Sequence, residues 1–289
     1  MGDDGGIAQL IRFENILGEG QRINQLYDGC FMLRSLHLLG NLDSHDVGIT
    51  KQGGIVFVNA RYNCLAGLSS RHSFDPVWHP PFITEIVNGD RCHLNGLAMR
   101  EGEPAFVTAV SQSNTIDGWR DRRSDGGVVI HVPSGELVCR GLSMPHSPRW
   151  HNGKLYVLNS GSGELGVVEF PDGKADGSTM GTFRPIAFCP GFLRGMTFHE
   201  NFAFVGLSKP RYERFEGLEL DQKLRDADSD PWCGIQIIDL KTGTCADWFR
   251  IDGDIGELYD VELIHGFACP MTVSPNSPDA NSLITFDIN

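Results

Sequence analysis

Short runs of alternating apolar and polar residues recur along the chain, and glycine-rich turns separate them. Alternation with a period of two is typical of half-buried β-strands, whereas the 3.6-residue period of amphipathic helices is nearly absent. The exception is a surface insertion at 208–232, where three leucines within 211–230 predict a short helix or a mobile flap. The pattern predicts an all-β protein with many short strands.

One unit of this pattern occurs five times. Each copy opens with a polar residue and a small or acidic one, and continues with apolar positions, a turn and further strands. The opening segments are 45–49, 95–99, 146–150, 194–198 and 259–263. The first three steps between copies are nearly equal, and the fourth is longer because it contains the insertion. A period of about 50 residues predicts a β-propeller of about five four-stranded blades, with six blades or a β-sandwich as alternatives.

The chain ends are predicted to close this ring. Only the opening strand of the fifth copy is present in full, so its other strands are expected at 30–36 and 282–286. Pairing both ends in one sheet would cover the edges that an open sheet leaves exposed. We therefore expect a single domain over 1–289, with 1–40 and 264–289 closing the ring.

The acidic charge of the chain limits its partners. The net charge is −13, and no concentrated face of lysine and arginine stands out, which argues against nucleic acid and acidic membranes. No apolar run reaches the roughly 18–20 residues needed to cross a bilayer. The acidic start of the chain is unlike a secretory signal. We expect a cytoplasmic protein without nucleic-acid or membrane partners, and its oligomeric state stays open.

Two kinds of motif are missing. The eight cysteines stand singly without a CxxC pair, which predicts free thiols rather than a zinc knuckle or a disulfide scaffold. The glycine pairs at 18–20 and 161–163 are not followed by the helix that a phosphate-binding loop requires. No nucleotide cofactor is therefore expected.

Three blocks of the sequence, at 91–99, 141–150 and 189–195, resemble a bacterial family of conserved hypothetical propeller proteins, a domain of unknown function. The similarity spans about residues 25–270 and implies the propeller fold, but no established chemistry. Members with a longer N-terminal part imply that this chain lacks one blade. The repeat is also similar to gluconolactonase, strictosidine synthase and streptogramin lyase propellers, which process small molecules over the central channel. That likeness implies architecture only.

Equivalent positions of successive blades face one another across the channel, so the register of the copies predicts a site. The alignment places these first positions at one level: His45, Asn95, His146, Arg194 and Tyr259. The next position holds Asp46 in the first copy and Asp260 in the fifth. His93 lies two residues before Asn95, so a period-two strand would point both side chains to one side. Polar groups at such a level need partners if they are buried.

Three interpretations of the histidines remain open. In the first, His45, His93 and His146 hold one divalent metal, Zn, Fe or Cu. In the second, they are structural and bond to carboxylates and carbonyls around a water-filled channel. In the third, His45 or His146 is an acid–base catalyst whose imidazole pKa is tuned by Asp46 or Asp260.

The remaining ring residues predict an anionic substrate. Arg194 could hold a carboxylate or a phosphate, with a salt bridge to Asp260 or Glu257 as its alternative role. The other expected substrate contacts are Asn95, Trp150 and Tyr259, the last as a proton donor. Together these residues favour an enzyme for a small anionic metabolite, a hydrolase, lyase or isomerase and less readily an oxygenase. The alternative is a non-catalytic propeller that binds a protein or a ligand on one face.

Overall fold

The computed structural model describes residues 7–286, which form two compact units at 42–263 and at 7–41 with 264–286. In chain order the elements are β1 (Ala8–Asn15), β2 (Gly29–Gly40), β3 (Ser44–Ile49), β4 (Ile55–Asn59), β5 (Cys64–Gly67), β6 (Asp75–Trp78), β7 (Leu94–Arg100), β8 (Glu103–Ala109), β9 (Gly127–His131), β10 (Leu137–Leu142), β11 (Pro145–His151), β12 (Lys154–Asn159), β13 (Glu164–Glu169), β14 (Thr182–Phe188), β15 (Phe192–His199), β16 (Phe202–Ser208), α1 (Glu219–Asp226), β17 (Gly234–Asp239), β18 (Thr244–Arg250) and β19 (Pro270–Val273). Within the described residues, no helix is long and apolar enough to cross a bilayer.

The larger unit consists of four four-stranded sheets, each a meander of consecutive antiparallel strands. Blades 1 to 4 are β3–β6, β7–β10, β11–β14 and β15–β18. Their first strands lie side by side in the order β3, β7, β11 and β15, which is the radial arrangement of a propeller. Together with the sheet of the smaller unit this makes five sheets. The prediction of an all-β, five-bladed propeller built from a regular repeat is therefore confirmed.

The smaller unit contains the fifth sheet, which has three strands in the order β1, β2 and β19. The strand predicted at 30–36 lies in β2, and β19 pairs parallel with it from Pro270 opposite Gly29. Both terminal segments thus share one sheet. The C-terminal strand lies at 270–273 instead of the predicted 282–286. Ser277 caps a 3-10 turn after β19, and this turn takes the chain out of the extended conformation before residue 282.

Three apolar clusters fill the spaces between successive blades of the larger unit. Leu94 and Val107 represent the cluster between blades 1 and 2, Phe106 and Leu155 the next, and Leu193 the last. Each large side chain buried in this way contributes about 1.5–3 kcal/mol relative to exposure. All eight cysteines are free, as predicted, and six of them are buried.

The glycine near the start of the second and fourth repeats allows neighbouring copies to approach closely. A Cβ atom on Gly96 would lie 2.3 Å from Cδ of Pro148 in the next blade. A Cβ atom on Gly195, whose φ is +79°, would lie 2.3 Å from the Val261 nitrogen. The fifth copy, 259–263, therefore runs beside blade 4, although none of its residues is part of a β-strand.

Candidate functional site

Three side chains of blades 1 and 2 bring metal-type donor atoms together. One nitrogen each of His45 and His93 and a carboxylate oxygen of Asp43 all lie within 4.8 Å of one another. Nε2 of His45 is 3.5 Å from Oδ1 of Asp43, and the two imidazole centroids are 4.9 Å apart. We call Asp43, His45 and His93 the three-donor group. It contains two of the three predicted metal ligands, and Asp43 supplies the third donor in place of His146.

Left-handed backbone conformations direct two of these residues. Asp43 and His93 both have a φ of 50°, which is uncommon outside glycine and occurs often at functional sites. The backbone nitrogen of His93 donates to Oδ1 of Asp90 at 2.8 Å, which holds this conformation. Strand β7 begins only at Leu94, so its two-residue period does not orient His93. The predicted placement of His93 near His45 holds for a different physical reason.

Asp90 also sets the tautomer of His93. Its Oδ2 lies 2.6 Å from Nδ1 of the imidazole, and a carboxylate only accepts, so Nδ1 carries the proton. This leaves Nε2 with a lone pair. Trp119 stacks on the same imidazole, with ring centroids 4.2 Å apart, and fixes its plane. A carboxylate behind a histidine is the usual support of a metal-binding imidazole.

The charge states of the three-donor group suit a divalent cation. Burial lowers the pKa of His45, and the Asp43 carboxylate opposes this only in part. Burial acts to raise the pKa of Asp43, but the His45 and His93 imidazoles outweigh it and hold that pKa below its usual value. Near neutral pH the group therefore presents a neutral His45 and an ionised Asp43. Neutral imidazole and carboxylate are the ligands that Zn, Fe and Cu accept.

His146 is more deeply buried than His93, and both of its ring nitrogens are hydrogen-bonded. Its Nδ1 donates to the Met144 carbonyl at 2.8 Å, and its Nε2 accepts from Nδ2 of Asn95 at 3.1 Å. The ring also makes an edge contact with Phe192 at 5.3 Å between centroids. The predicted register placed Asn95 and His146 at one level, and in the structure the two side chains form a direct hydrogen bond. The arrangement corresponds to the structural interpretation of this histidine.

The burial of His146 has a measurable consequence for stability. Burial, followed by the Arg194 charge and by His45 and His93, holds the pKa of His146 well below its usual value. The unfolded chain then binds one proton more than the folded chain below about pH 6.5. We expect the free energy of unfolding of metal-free protein to fall by up to about 1.4 kcal/mol per pH unit below that pH from this residue.

Chemical denaturation between pH 5 and 8 tests this. His146→Gln keeps an acceptor toward Asn95 but cannot titrate. It should reduce the slope of the unfolding free energy against pH by up to about 1.4 kcal/mol per pH unit, the value for one proton. A slope that is the same in both proteins would contradict the buried neutral state of His146.

Arg194 presents unpaired donors beside this histidine. Its guanidinium carbon lies 5.4 Å from the centroid of the Phe192 ring and 5.1 Å from that of Tyr259. Its Nε and Nη1 atoms are buried and have no hydrogen-bond partner within the described part of the chain. Burial lowers the pKa of this guanidinium, and the nearby Arg211 charge lowers it further. A buried cation with two unused donors is suited to an anion.

The acids considered as salt-bridge partners of Arg194 are paired with other arginines. Glu257 accepts from Nε of Arg211 at 2.5 Å and from the Tyr259 hydroxyl at 2.9 Å. Asp260 lies 3.4 Å from Nη2 of Arg149. Tyr259, a predicted proton donor, therefore lies beside Arg194, and its hydroxyl group donates its hydrogen bond to Glu257.

Arg149 ties the inner strands of all four blades together. Its guanidinium binds both carboxylate oxygens of Asp46 from blade 1, at 2.8 and 3.3 Å. It also donates to the carbonyls of Leu97 in blade 2, at 2.9 Å, and Met196 in blade 4, at 3.1 Å. Burial raises the pKa of Asp260 even though Arg149 opposes the shift. Asp46 and Asp260, predicted to tune a catalytic histidine, are thus ion-pair partners of Arg149.

Trp150 lies apart from the histidines. Its ring stacks on Phe106 at 5.9 Å, and the Arg100 guanidinium lies 5.2 Å from its centroid. It belongs to the apolar cluster between blades 2 and 3. The structure gives Trp150 a packing position instead of the predicted substrate contact, because it is near the far end of β11, well beyond His146.

The insertion at 208–232 covers one side of the site, and it contains the predicted short helix, α1. Phe215 stacks on Phe192 at 6.1 Å, and Leu218 packs in the cluster that contains Trp119. The ammonium of Lys223 binds Glu164 at 2.5 Å. These contacts place the insertion over the two aromatic residues that border His93 and His146.

Sequence reasoning missed Asp43 and Asp90. Each stands just before a predicted ligand, in Asp43-Ser44-His45 and in Asp90-Arg91-Cys92-His93. This local spacing was a usable signal, since a nearby carboxylate often binds or orients a histidine.

Comparisons with known proteins place the chain in a wider group. A family model described as Domain of unknown function (DUF4915) matches residues 5–273, a range that includes all three blocks at 91–99, 141–150 and 189–195. No curated protein matches.

Several solved structures are similar. Hydrazine synthase from Kuenenia stuttgartiensis has 9% identity and a TM-score of 0.42, over 73% of this chain and 49% of that one. A protein of unknown function from Bacteroides caccae has 10% identity and a TM-score of 0.43, over 85% and 73%. Virginiamycin B lyase from Staphylococcus aureus has 12% identity and a TM-score of 0.36, over 67% and 54%. Such low values say nothing about the activity of this chain.

Proposed function

The chain belongs to the DUF4915 family, a domain of unknown function, and since this family brings no chemistry with it, we propose a function from the site alone. The larger unit is an enzyme that acts on a small anionic molecule. It binds one divalent metal ion at the three-donor group and its substrate at Arg194. The reaction class is hydrolysis, elimination or isomerisation.

The observation that carries this proposal is the convergence of Asp43, His45 and His93. Zinc binds nitrogen and oxygen donors at about 2.0–2.2 Å, so tetrahedral ligand atoms lie about 3.4 Å apart. The 3.5 Å between Nε2 of His45 and Oδ1 of Asp43 already fits this spacing. Nε2 of His45 is buried and makes no hydrogen bond within the described residues, so an ion would satisfy it. The residues present therefore fit a divalent metal.

A three-ligand site leaves positions open for chemistry. Catalytic zinc sites commonly use three protein ligands and keep the fourth position for water or substrate. An ion held there supplies Lewis-acid polarisation and a more acidic bound water. Arg194 contributes the positive charge that attracts an anionic substrate, and Trp119 and Phe192 limit the access of water.

Metal binding is the direct test. Protein purified without added metal is analysed for Zn, Fe and Cu, and chelated protein is titrated with Zn²⁺, Cu²⁺ and, without oxygen, Fe²⁺. We expect one ion per chain, and a loss of affinity of at least about a hundredfold in Asp43→Ala, His45→Ala and His93→Ala, since each removes one of three ligands.

The matched control is His72→Ala, because His72 is an exposed residue of the larger unit. It should bind metal like the parent protein. Binding of less than one ion, or an equal loss in His72→Ala, would overturn the metal site. Turnover of anionic esters, lactones and hydroxy acids is then compared between metal-loaded parent protein and His45→Ala, and only the parent protein is expected to be active.

A further inference from the structure

Two buried polar groups of the site still need a ligand. Arg194 has two nitrogens, Nε and Nη1, that donate to nothing in the described residues. Asn95 is 3% exposed, and its Oδ1 accepts nothing there. An unsatisfied buried group costs about 1–3 kcal/mol, and more when it is charged. The pair therefore calls for a molecule that both accepts and donates hydrogen bonds.

The orientation of the Asn95 amide follows from its partners. Nδ2 donates to the carbonyl of Pro145 at 3.1 Å and to Nε2 of His146 at 3.1 Å. A carbonyl only accepts, so the NH₂ group must face Pro145. A flipped amide would bring two oxygens together. The unused atom of Asn95 is thus an acceptor, and it requires an O–H or N–H group on the ligand.

The charge balance around Arg194 favours one negative charge. Glu257, the acid whose charge acts on Arg194, is bound in a fork by Arg211 at 2.5 and 3.2 Å, and Asp260 interacts with Arg149. Arg194 is left as a single uncompensated cation. A carboxylate balances it, whereas a phosphate monoester with nearly two charges would leave one in excess.

Both groups border the same imidazole. Asn95 donates to Nε2 of His146, and Phe192 contacts both the His146 ring and the Arg194 guanidinium. The Arg194 charge also acts on the His146 imidazole, so both groups lie in the surroundings of His146. Since both nitrogens of His146 are occupied, the polar recognition rests on Arg194 and Asn95.

We infer that the ligand is a small monocarboxylate that carries a hydroxyl or amino group. Its carboxylate accepts a hydrogen bond from one of the two unpaired nitrogens of Arg194, Nε or Nη1, and its hydroxyl or amino group donates to Oδ1 of Asn95. This deepens the proposed function, on which its role as a substrate rests, but its binding does not require the metal.

Calorimetry with chelated protein tests this by comparing lactate with three other probes. Propanoate lacks the hydroxyl, lactamide lacks the charge, and glycerol 3-phosphate keeps hydroxyl groups but carries a phosphate in place of the carboxylate. We expect lactate to bind at least about tenfold more tightly than propanoate and lactamide, because each leaves one buried group unpaired. Lactate should also bind more tightly than glycerol 3-phosphate.

Variants assign the two contacts. Arg194→Met should abolish lactate binding, whereas Arg184→Met, the same change at an exposed arginine of β14, should leave it unchanged. Asn95→Ala should bring the ratio of propanoate to lactate dissociation constants close to one while propanoate binding stays the same. This ratio is insensitive to a general loss of stability.

The outcomes separate this inference from the proposed function. Three outcomes would each overturn the inference that the ligand is a hydroxy- or amino-carboxylate. They are no lactate binding, equal binding of lactate and propanoate, and tighter binding of glycerol 3-phosphate than of lactate. The metal titration decides the three-donor group independently, since the chelated protein holds no ion. If the protein binds metal but not lactate, the metal site of the proposed function stands and only the inferred class of ligand is wrong.

Discussion

Arg149→Met is expected to lower the free energy of unfolding of the larger unit by about 3–5 kcal/mol, the usual loss when one partner of a buried ion pair is removed. The guanidinium binds Asp46 through two nitrogens and donates to carbonyls of blades 2 and 4. The Asp46 residue is 8% exposed, so without Arg149 its charge would stay buried and unpaired. Urea unfolding followed by tryptophan fluorescence measures the loss.

Two further variants show that the effect comes from this contact. Arg184→Met, at an exposed arginine, should change stability by less than about 0.5 kcal/mol. Asp46→Asn combined with Arg149→Met should be less destabilised than the sum of the single changes, because the pair shares one interaction. A loss in Arg149→Met no larger than that of an ordinary exposed ion pair, about 1 kcal/mol, would show that the inner strands do not depend on this residue. Strict additivity would show that the loss does not come from its pair with Asp46.

Asp90→Asn is expected to weaken metal binding by about 10–100-fold without removing a ligand, the usual effect of a changed supporting partner. Oδ1 of Asp90 binds the His93 backbone nitrogen, and Oδ2 faces Nδ1 of the imidazole. In the asparagine variant, Oδ1 keeps the backbone contact and the NH₂ group faces Nδ1. The imidazole must then place its proton on Nε2, which removes the lone pair from the metal.

Calorimetric titration of chelated protein with Zn²⁺ measures this change. Asp75→Asn, at an exposed aspartate of β6, is the matched control and should bind like the parent protein. A thermal melt of the metal-free variants shows whether the fold is kept. Unchanged affinity in Asp90→Asn would mean that Asp90 only stabilises the loop before β7 and that His93 does not bind through Nε2.

Much of the fold follows from local signals in the sequence. Strand alternation and the regular spacing of the copies report on structures that form within one repeat, so the blades at 44–78, 94–142, 145–188 and 192–250 are predictable. The fifth sheet was harder, because it joins segments from opposite ends of the chain through a parallel pair. A strand as short as β19 carries too little pattern to be distinguished from a loop.

For the candidate site, the sequence predicted which residues lie in one region but not which of them contact each other. Register brings Asn95 and His146 together, and it selects His45 and Arg194 for the same region. It does not distinguish which polar groups are already paired. His146 has both nitrogens occupied and Arg194 has two unpaired, although both hold the first position of a repeat.

The sequence by itself determined the β-rich repeat, its period and the residues that open blades 1 to 4, because alternation and turn chemistry act between near neighbours. Only the tertiary structure decided the partners. The third donor beside His45 and His93 is Asp43 and not His146, because a left-handed backbone turns Asp43 toward His45. Asp46 pairs with Arg149 because the inner strands of four blades converge on that arginine. Such pairings depend on ångström distances between residues that are far apart along the chain, and no local pattern encodes them.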